Sequence, residues 1–77
     1  MKIGDKVKLI ITEEELNEIL KNNRDLKNEI MDCYNAGVGT IVDKFLPSEL
    51  IPETYYCLDI SPDVAWKESE LKLMNGE

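Results

Sequence analysis

The chain has 77 residues, 43% of them hydrophobic and 32% charged, with 16 acidic against 9 basic side chains and a formal charge of -7. That length holds one domain, close to the size at which a single core is barely sufficient, and the composition excludes the low-hydrophobicity signature of a disordered chain. The charge works against nucleic-acid binding, which takes its affinity from cations placed on phosphates, and suits a solvated surface, a basic protein partner or mimicry of nucleic acid.

The N-terminal stretch KIGDKVKLIIT opens with a turn signal at Gly4 and Asp5 and then alternates, Val7, Leu9 and Ile11 on one side and Lys6, Lys8 and Ile10 on the other. Alternation of this kind predicts a half-buried strand. The period changes at Thr12, where Glu15 three residues on completes a capping box and Glu13 and Glu14 place further acids at the positive end of the helix dipole. Leu16, Ile19, Leu20, Leu26, Ile30, Cys33 and Tyr34 fall on one helical stripe over residues 13 to 34. Asn22 and Asn23 are weak helix formers and Asp25 is a candidate cap, so two short helices are preferred to one long one, ending near Asn35 to Gly37.

The segment GVGTIVDKF, Gly37 to Phe45, has a glycine pair like that of a phosphate-binding loop. Such a loop leads into a helix and supplies a lysine to the phosphates, whereas Thr40, Ile41 and Val42 favour a strand. Gly37 and Gly39 are expected to supply positive φ or close backbone approach at the start of a second strand. LPSELIPET, with Pro47 and Pro52 around Leu50 and Ile51, reads as a loop with buried anchors. TYYCLDI alternates Tyr56, Leu58 and Ile60 against Tyr55, Cys57 and Asp59 and predicts a third strand. Ser61-Pro62-Asp63 is expected to turn the chain into a fourth strand at VAWKE, SEL to tighten it, and KLM to form a fifth strand with Leu71 and Leu73 in register. Met74 to Glu77 is expected to fray. No repeat or low-complexity segment interrupts residues 1–77, which are expected to form a single domain with a helical insertion at 12–36.

IGDKVKLI, GVGTIVDKF, YYCLDI and VAWKESELKLM, in that order, resemble small bacterial and phage SH3-like barrel domains. These open with Gly-Asp-x-Val, pass a Gly-x-Gly-Thr turn into the second strand and close through Glu-x-x-Leu. The resemblance implies a mainly β fold with a helical insertion (α+β), a small five-stranded SH3-like barrel whose insertion replaces the loop after the first strand. It also fits a prophage or mobile-element origin and implies a peptide-binding surface. The Gly-x-Gly-Thr turn is similar to that of KOW-type barrels, which bind RNA and ribosomes.

The chain has no histidine, which removes the commonest general base and zinc ligand, and Cys33 and Cys57 lack the spacing of a zinc site. Paired carboxylates such as Glu13 to Glu15, or Glu68 and Glu70, are explained by a helix start and a solvated turn, and a domain this small hardly forms the cleft a glycosidase needs. No enzymatic activity, metal or cofactor is expected. The two cysteines read as reduced core residues, and no signal sequence or membrane-spanning run is visible, so a cytoplasmic location without membrane contact is expected.

What remains is binding to a protein. The acidic C-terminal half holds eight acids against three bases over residues 43–77, and Tyr55, Asp59, Trp66, Glu68 and Glu70 are its candidate partner-binding residues. Tyr55 shares a strand face with Asp59 and is the better candidate for exposure; Trp66 and Phe45 have core filling as their other reading. The helical insertion offers a second surface. Two alternatives stand beside this. An acidic inhibitor mimicking nucleic acid, and so blocking an enzyme such as a defence nuclease, would gather Glu49, Glu53, Asp59, Asp63, Glu68 and Glu70 on one face. A KOW-like RNA or ribosome binder would gather Lys2, Lys6, Lys8 and Lys27 into one patch.

Overall fold

The computed structural model describes residues 1–74. Strand β1 (Lys6–Leu9) is followed by helix α1 (Glu13–Asn22), a 3-10 turn (Arg24–Leu26) and helix α2 (Lys27–Ala36). Strands β2 (Val38–Phe45), β3 (Tyr55–Leu58) and β4 (Ser61–Lys67), a second 3-10 turn (Glu68–Glu70) and β5 (Leu71–Leu73) complete the chain. The strands form one antiparallel sheet in the order β4-β3-β2-β1-β5. The domain is therefore α+β, a five-stranded sheet with two helices. β4 and β5 are the sheet's edges and do not pair with each other.

The local chemistry explains most element ends. Thr12 accepts from the Glu15 amide at 3.1 Å while the Glu15 carboxylate accepts from the Thr12 amide at 2.8 Å, so both orphan donors at the start of α1 are satisfied. The break between the helices comes from Asn23, whose side-chain amide donates to the Ile19 carbonyl at 2.9 Å and closes α1. Asp25 caps nothing: it lies inside the 3-10 turn, and Leu26 holds the N-cap position of α2 without a side-chain bond. Gly37 ends α2 with φ of 77°, a left-handed conformation that a residue bearing Cβ adopts only with strain. Its carbonyl then accepts from the Leu9 amide at 2.8 Å, which ties the end of α2 to β1.

β2 changes neighbours along its length. Its first part pairs with β1, Val7 opposite Gly39, and from Ile41 onward it pairs with β3, with a bulge between Ile41 and Asp43. A bulge bends a strand and increases its twist, so the sheet curves around its buried face. Val7, Ile41, Tyr56, Leu58, Val64 and Trp66 from the sheet meet Leu16 of α1 and Ile30 and Cys33 of α2 in one core. Cys33 and Cys57 are buried free thiols.

Several expectations are corrected. The chain reverses at Asp59 and Ile60, before Ser61-Pro62-Asp63, which lies inside β4. Leu58 pairs with Ser61 and Cys57 with Ala65, so Pro62 to Val64 form a bulge, a position where a missing amide donor costs the ladder nothing. Leu50 and Ile51 are not buried anchors: Leu50 is 94% exposed at the tip of a turn closed by a Ser48 amide bond to the Ile51 carbonyl at 2.7 Å. Phe45 is exposed at the last residue of β2. Leu71 is buried but Leu73, one turn of the pleat nearer the strand end, is partly exposed. Met74 is held by a 2.8 Å amide bond to the Lys6 carbonyl, and the rest of the segment expected to fray lies outside the described residues.

Gly39 meets the other expectation for the glycine pair. A Cβ there would lie 3.0 Å from Ile60 Cδ1, 3.2 Å from Asp59 Oδ1 and 3.3 Å from Leu58 Cβ. The Asp59 carboxylate accepts from the neighbouring Thr40 amide at 3.0 Å, and the Asp59 amide donates to the Thr40 carbonyl at 2.9 Å, so the β3–β4 turn is bonded directly onto β2. Replacing Gly39 by Ala is expected to lower stability by about 1–3 kcal/mol through overpacking. Urea denaturation followed by circular dichroism measures it, and a midpoint equal to that of the wild type would show that this contact is not tight.

Candidate functional site: an acidic groove between α1 and β4

α1 and β4 stand apart and leave an open groove of about 700 Å³. Its floor is apolar, built from Ile19, Leu26, Ile30, Val64 and the buried ring of Trp66. Its sides carry Glu14, Glu15 and Glu18 from α1, Asp63 from β4 and Glu70 from the second 3-10 turn, with Lys67 as the single basic side chain and Tyr55 at the wall. Glu14 and Glu18 are four residues apart and share a helix face. The Lys67 ammonium is turned toward Glu53, 3.7 Å away, in an exposed pair of the kind that contributes little stability.

Glu70 is fixed at the end of this groove by a 2.7 Å bond from the Lys67 amide to Oε1. Burial pushes its carboxyl up, the amide bond and charge of Lys67 pull it back, and the carboxylates of Glu15 and Glu53 add to the rise. Burial also pushes the Tyr56 phenol up to about 12, helped by Glu68, which accepts its hydrogen bond at 2.7 Å. The Cys33 thiol is likewise raised by burial, and the Cys57 thiol too, which keeps both protonated and unreactive. The indole N–H of Trp66 is buried without a full hydrogen bond, its neighbour being the weak acceptor Cys33 Sγ.

Of the five partner-binding residues expected from the sequence, the groove brings together Tyr55, Trp66 and Glu70. Trp66, 1% exposed, supports the floor from below. Asp59 sits on the β3–β4 turn against Thr40, and Glu68 faces Tyr56 on the other side of the second 3-10 turn. The six acids considered for mimicry are divided: Asp63 and Glu70 line the groove, Glu53 and Glu68 line a separate depression with Met1 and Leu71, Glu49 is in the exposed loop and Asp59 is at the turn. Lys6 and Lys8 lie on the outer face of β1, where Lys8 is opposite Lys72 of β5; Lys27 begins α2 and Lys2 belongs to the N-terminal turn. Glu14, Glu15 and Glu18 were not expected as site residues, and Asp63 was expected only as part of a mimic's acidic face. The only signal in the sequence is the four-residue spacing of Glu14 and Glu18, since their meeting with Asp63 depends on how α1 approaches β4.

Among the described residues no group of three or more cysteine or carboxylate side chains is arranged to hold a metal ion, and no helix is long and apolar enough to cross a membrane. No protein-family model, curated protein or solved structure matches the chain.

The raised carboxyl of Glu70 has a defined effect on stability. The folded chain holds this proton more tightly than the unfolded one, so the group's stabilisation is complete below 4.5 and is lost as pH rises through the folded value. Glu70→Gln keeps an acceptor for the Lys67 amide and removes the charge. The variant is expected to be the more stable at neutral pH, with the difference from wild type vanishing on acidification below 4.5. Denaturation midpoints of both proteins across that range test this, and a variant less stable at neutral pH would show that the Glu70 charge is favourable where it sits.

Proposed function

We propose that this chain is a non-enzymatic protein-binding module of the SH3-like type, and that the groove between α1 and β4 receives a basic segment of its partner. The observation that carries the reading is the groove's combination of an apolar floor with five carboxylates and one lysine. Aliphatic stems of Lys or Arg cover such a floor while their charged ends reach the carboxylates. Five short strands, with β5 returned beside β1, support the SH3-like assignment. The division of the remaining acids among separate sites favours a module over a nucleic-acid mimic.

One observation favours a second reading, RNA binding of the KOW kind. Lys8 and Lys72 face each other directly across β1 and β5, a like-charge pair that costs stability and has no acidic partner among the described residues. That strip offers few phosphate contacts on a chain of charge -7.

Capture of partners from native lysate by the wild type and by Glu14→Lys/Glu18→Lys separates these readings. The double variant is expected to lose a basic-segment partner at least tenfold while keeping its helical circular dichroism, and a photocrosslinker at Tyr55 is expected to reach that partner. Equal capture by both proteins overturns the groove assignment. Recovery of RNA, lost on Lys8→Glu/Lys72→Glu, decides for the second reading.

A further inference from the structure

The outer face of the sheet carries a charge opposite to that of the groove. Burial alternates along β1, with Val7 and Leu9 turned into the core and Lys6 and Lys8 exposed. The register sets Val38 of β2 on one side of Lys8 and Lys72 of β5 on the other, and both are exposed. Residues directly opposite each other share a face, so Lys6, Lys8 and Lys72 form one cluster with Val38 beside it. Among the described residues none of the three has a carboxylate within ion-pair distance. In a chain of 16 acids and 9 bases this face is an exception, and the opposition of Lys8 and Lys72 costs stability until an anion meets it. The groove is lined by α1, α2, the turns, β3 and β4 and by no residue of β1, β2 or β5, so the two surfaces are separate and can be engaged at once.

We propose that the groove receives the Lys6, Lys8 and Lys72 face of a second copy of this chain, so that copies associate head to tail. This rests on the groove reading above and names its occupant. Charge selects it: five carboxylates and one lysine on one surface meet three unpaired lysines on the other. Spacing agrees with charge. Lys6 and Lys8 are two residues apart on a strand, about 6.6 Å along its axis. Glu14 and Glu18 are four residues apart on a helix, about 6 Å along its axis. The two rows therefore run in step, and the aliphatic stems of the lysines, with Val38, cover the apolar floor. The contact joins different surfaces of two copies and is heterologous, leaving a groove unfilled at one end and a lysine face at the other unless a ring closes. The charge of -7 on each copy opposes the approach at long range, so the association is weak and sensitive to salt.

The test is sedimentation of the full chain at low salt over a concentration series reaching about 1 mM, the range of a weak contact. The average mass is expected to rise with concentration and to return to that of the monomer at about 1 M salt, where charges are screened within about 3 Å. Lys8→Glu/Lys72→Glu, which reverses the face, and Glu14→Lys/Glu18→Lys, which reverses the groove wall, are each expected to associate at least tenfold more weakly. An equimolar mixture of the two variants is expected to regain association, because it holds one intact face and one intact groove. Recovery on mixing also shows that neither variant lost association by unfolding. Loss in both variants without recovery on mixing means that the two surfaces do not meet, and overturns the proposal. Association that persists in both variants overturns it too, since another surface then carries the contact. A wild type that stays monomeric across the series also overturns self-docking, while the groove itself is judged by the lysate capture and the lysine face by its recovery of RNA.

Discussion

β2 has to serve two neighbours that do not lie in one plane, and the rest of the molecule is arranged around that requirement. Its first residues must hold β1, its last must hold β3, and the bulge at Val42 provides the bend between the two duties. The bend brings the Asp59–Ile60 turn back over the start of β2, where only a residue without a side chain leaves room. Asp59 then bonds to the Thr40 amide and locks the two halves of the sheet together. The core is what this curved sheet encloses once α1 and α2 cover it.

The groove is a by-product of the same geometry. α2 packs on β4, with Ile30 and Cys33 in the core, while the Asn23 break lets α1 leave at an angle and bury only Leu16 completely. α1 thus reaches the barrier of Glu15 and Glu70 at one end and stands off from β4 along the rest. Five carboxylates line the open groove, where solvent can screen their mutual repulsion. The interactions that hold the site are the ordinary ones of a helix cap and a strand end: the Thr12–Glu15 box and the Lys67–Glu70 bond.

Elements with local causes were legible in the sequence. The capping box at Thr12, the alternation of Val7 and Leu9, and the helix stop at Gly37 are each decided by a few adjacent residues, and they stand where they were read. Gly37 and Gly39 divide the two roles expected of them, positive φ for one and close approach for the other. Readings that failed depended on distant parts of the chain. Phe45, Leu50 and Ile51 have core-like side chains, but whether a core lies beneath them is settled by distant parts of the chain. Ser61-Pro62-Asp63 has turn chemistry, yet the two-residue reversal before it leaves Pro62 to serve as a bulge. Trp66 and Glu70 share a groove because β4 and the turn after it are continuous in sequence, and Tyr55 joins them by pairing with Lys67 across β3 and β4. The contribution of α1 was hidden, since Glu14 and Glu18 look like any solvated helix face until β4 is placed opposite.

The only tryptophan of the chain lies immediately under the apolar floor of the groove, beside the thiol of Cys33 and out of contact with bulk water. Its indole emission is consequently set by the dielectric and by the sulfur on one side and by whatever fills the groove on the other. The molecule thus carries an intrinsic optical gauge beneath an acidic groove, and a segment that settled there and displaced water would change its colour and yield without a label attached.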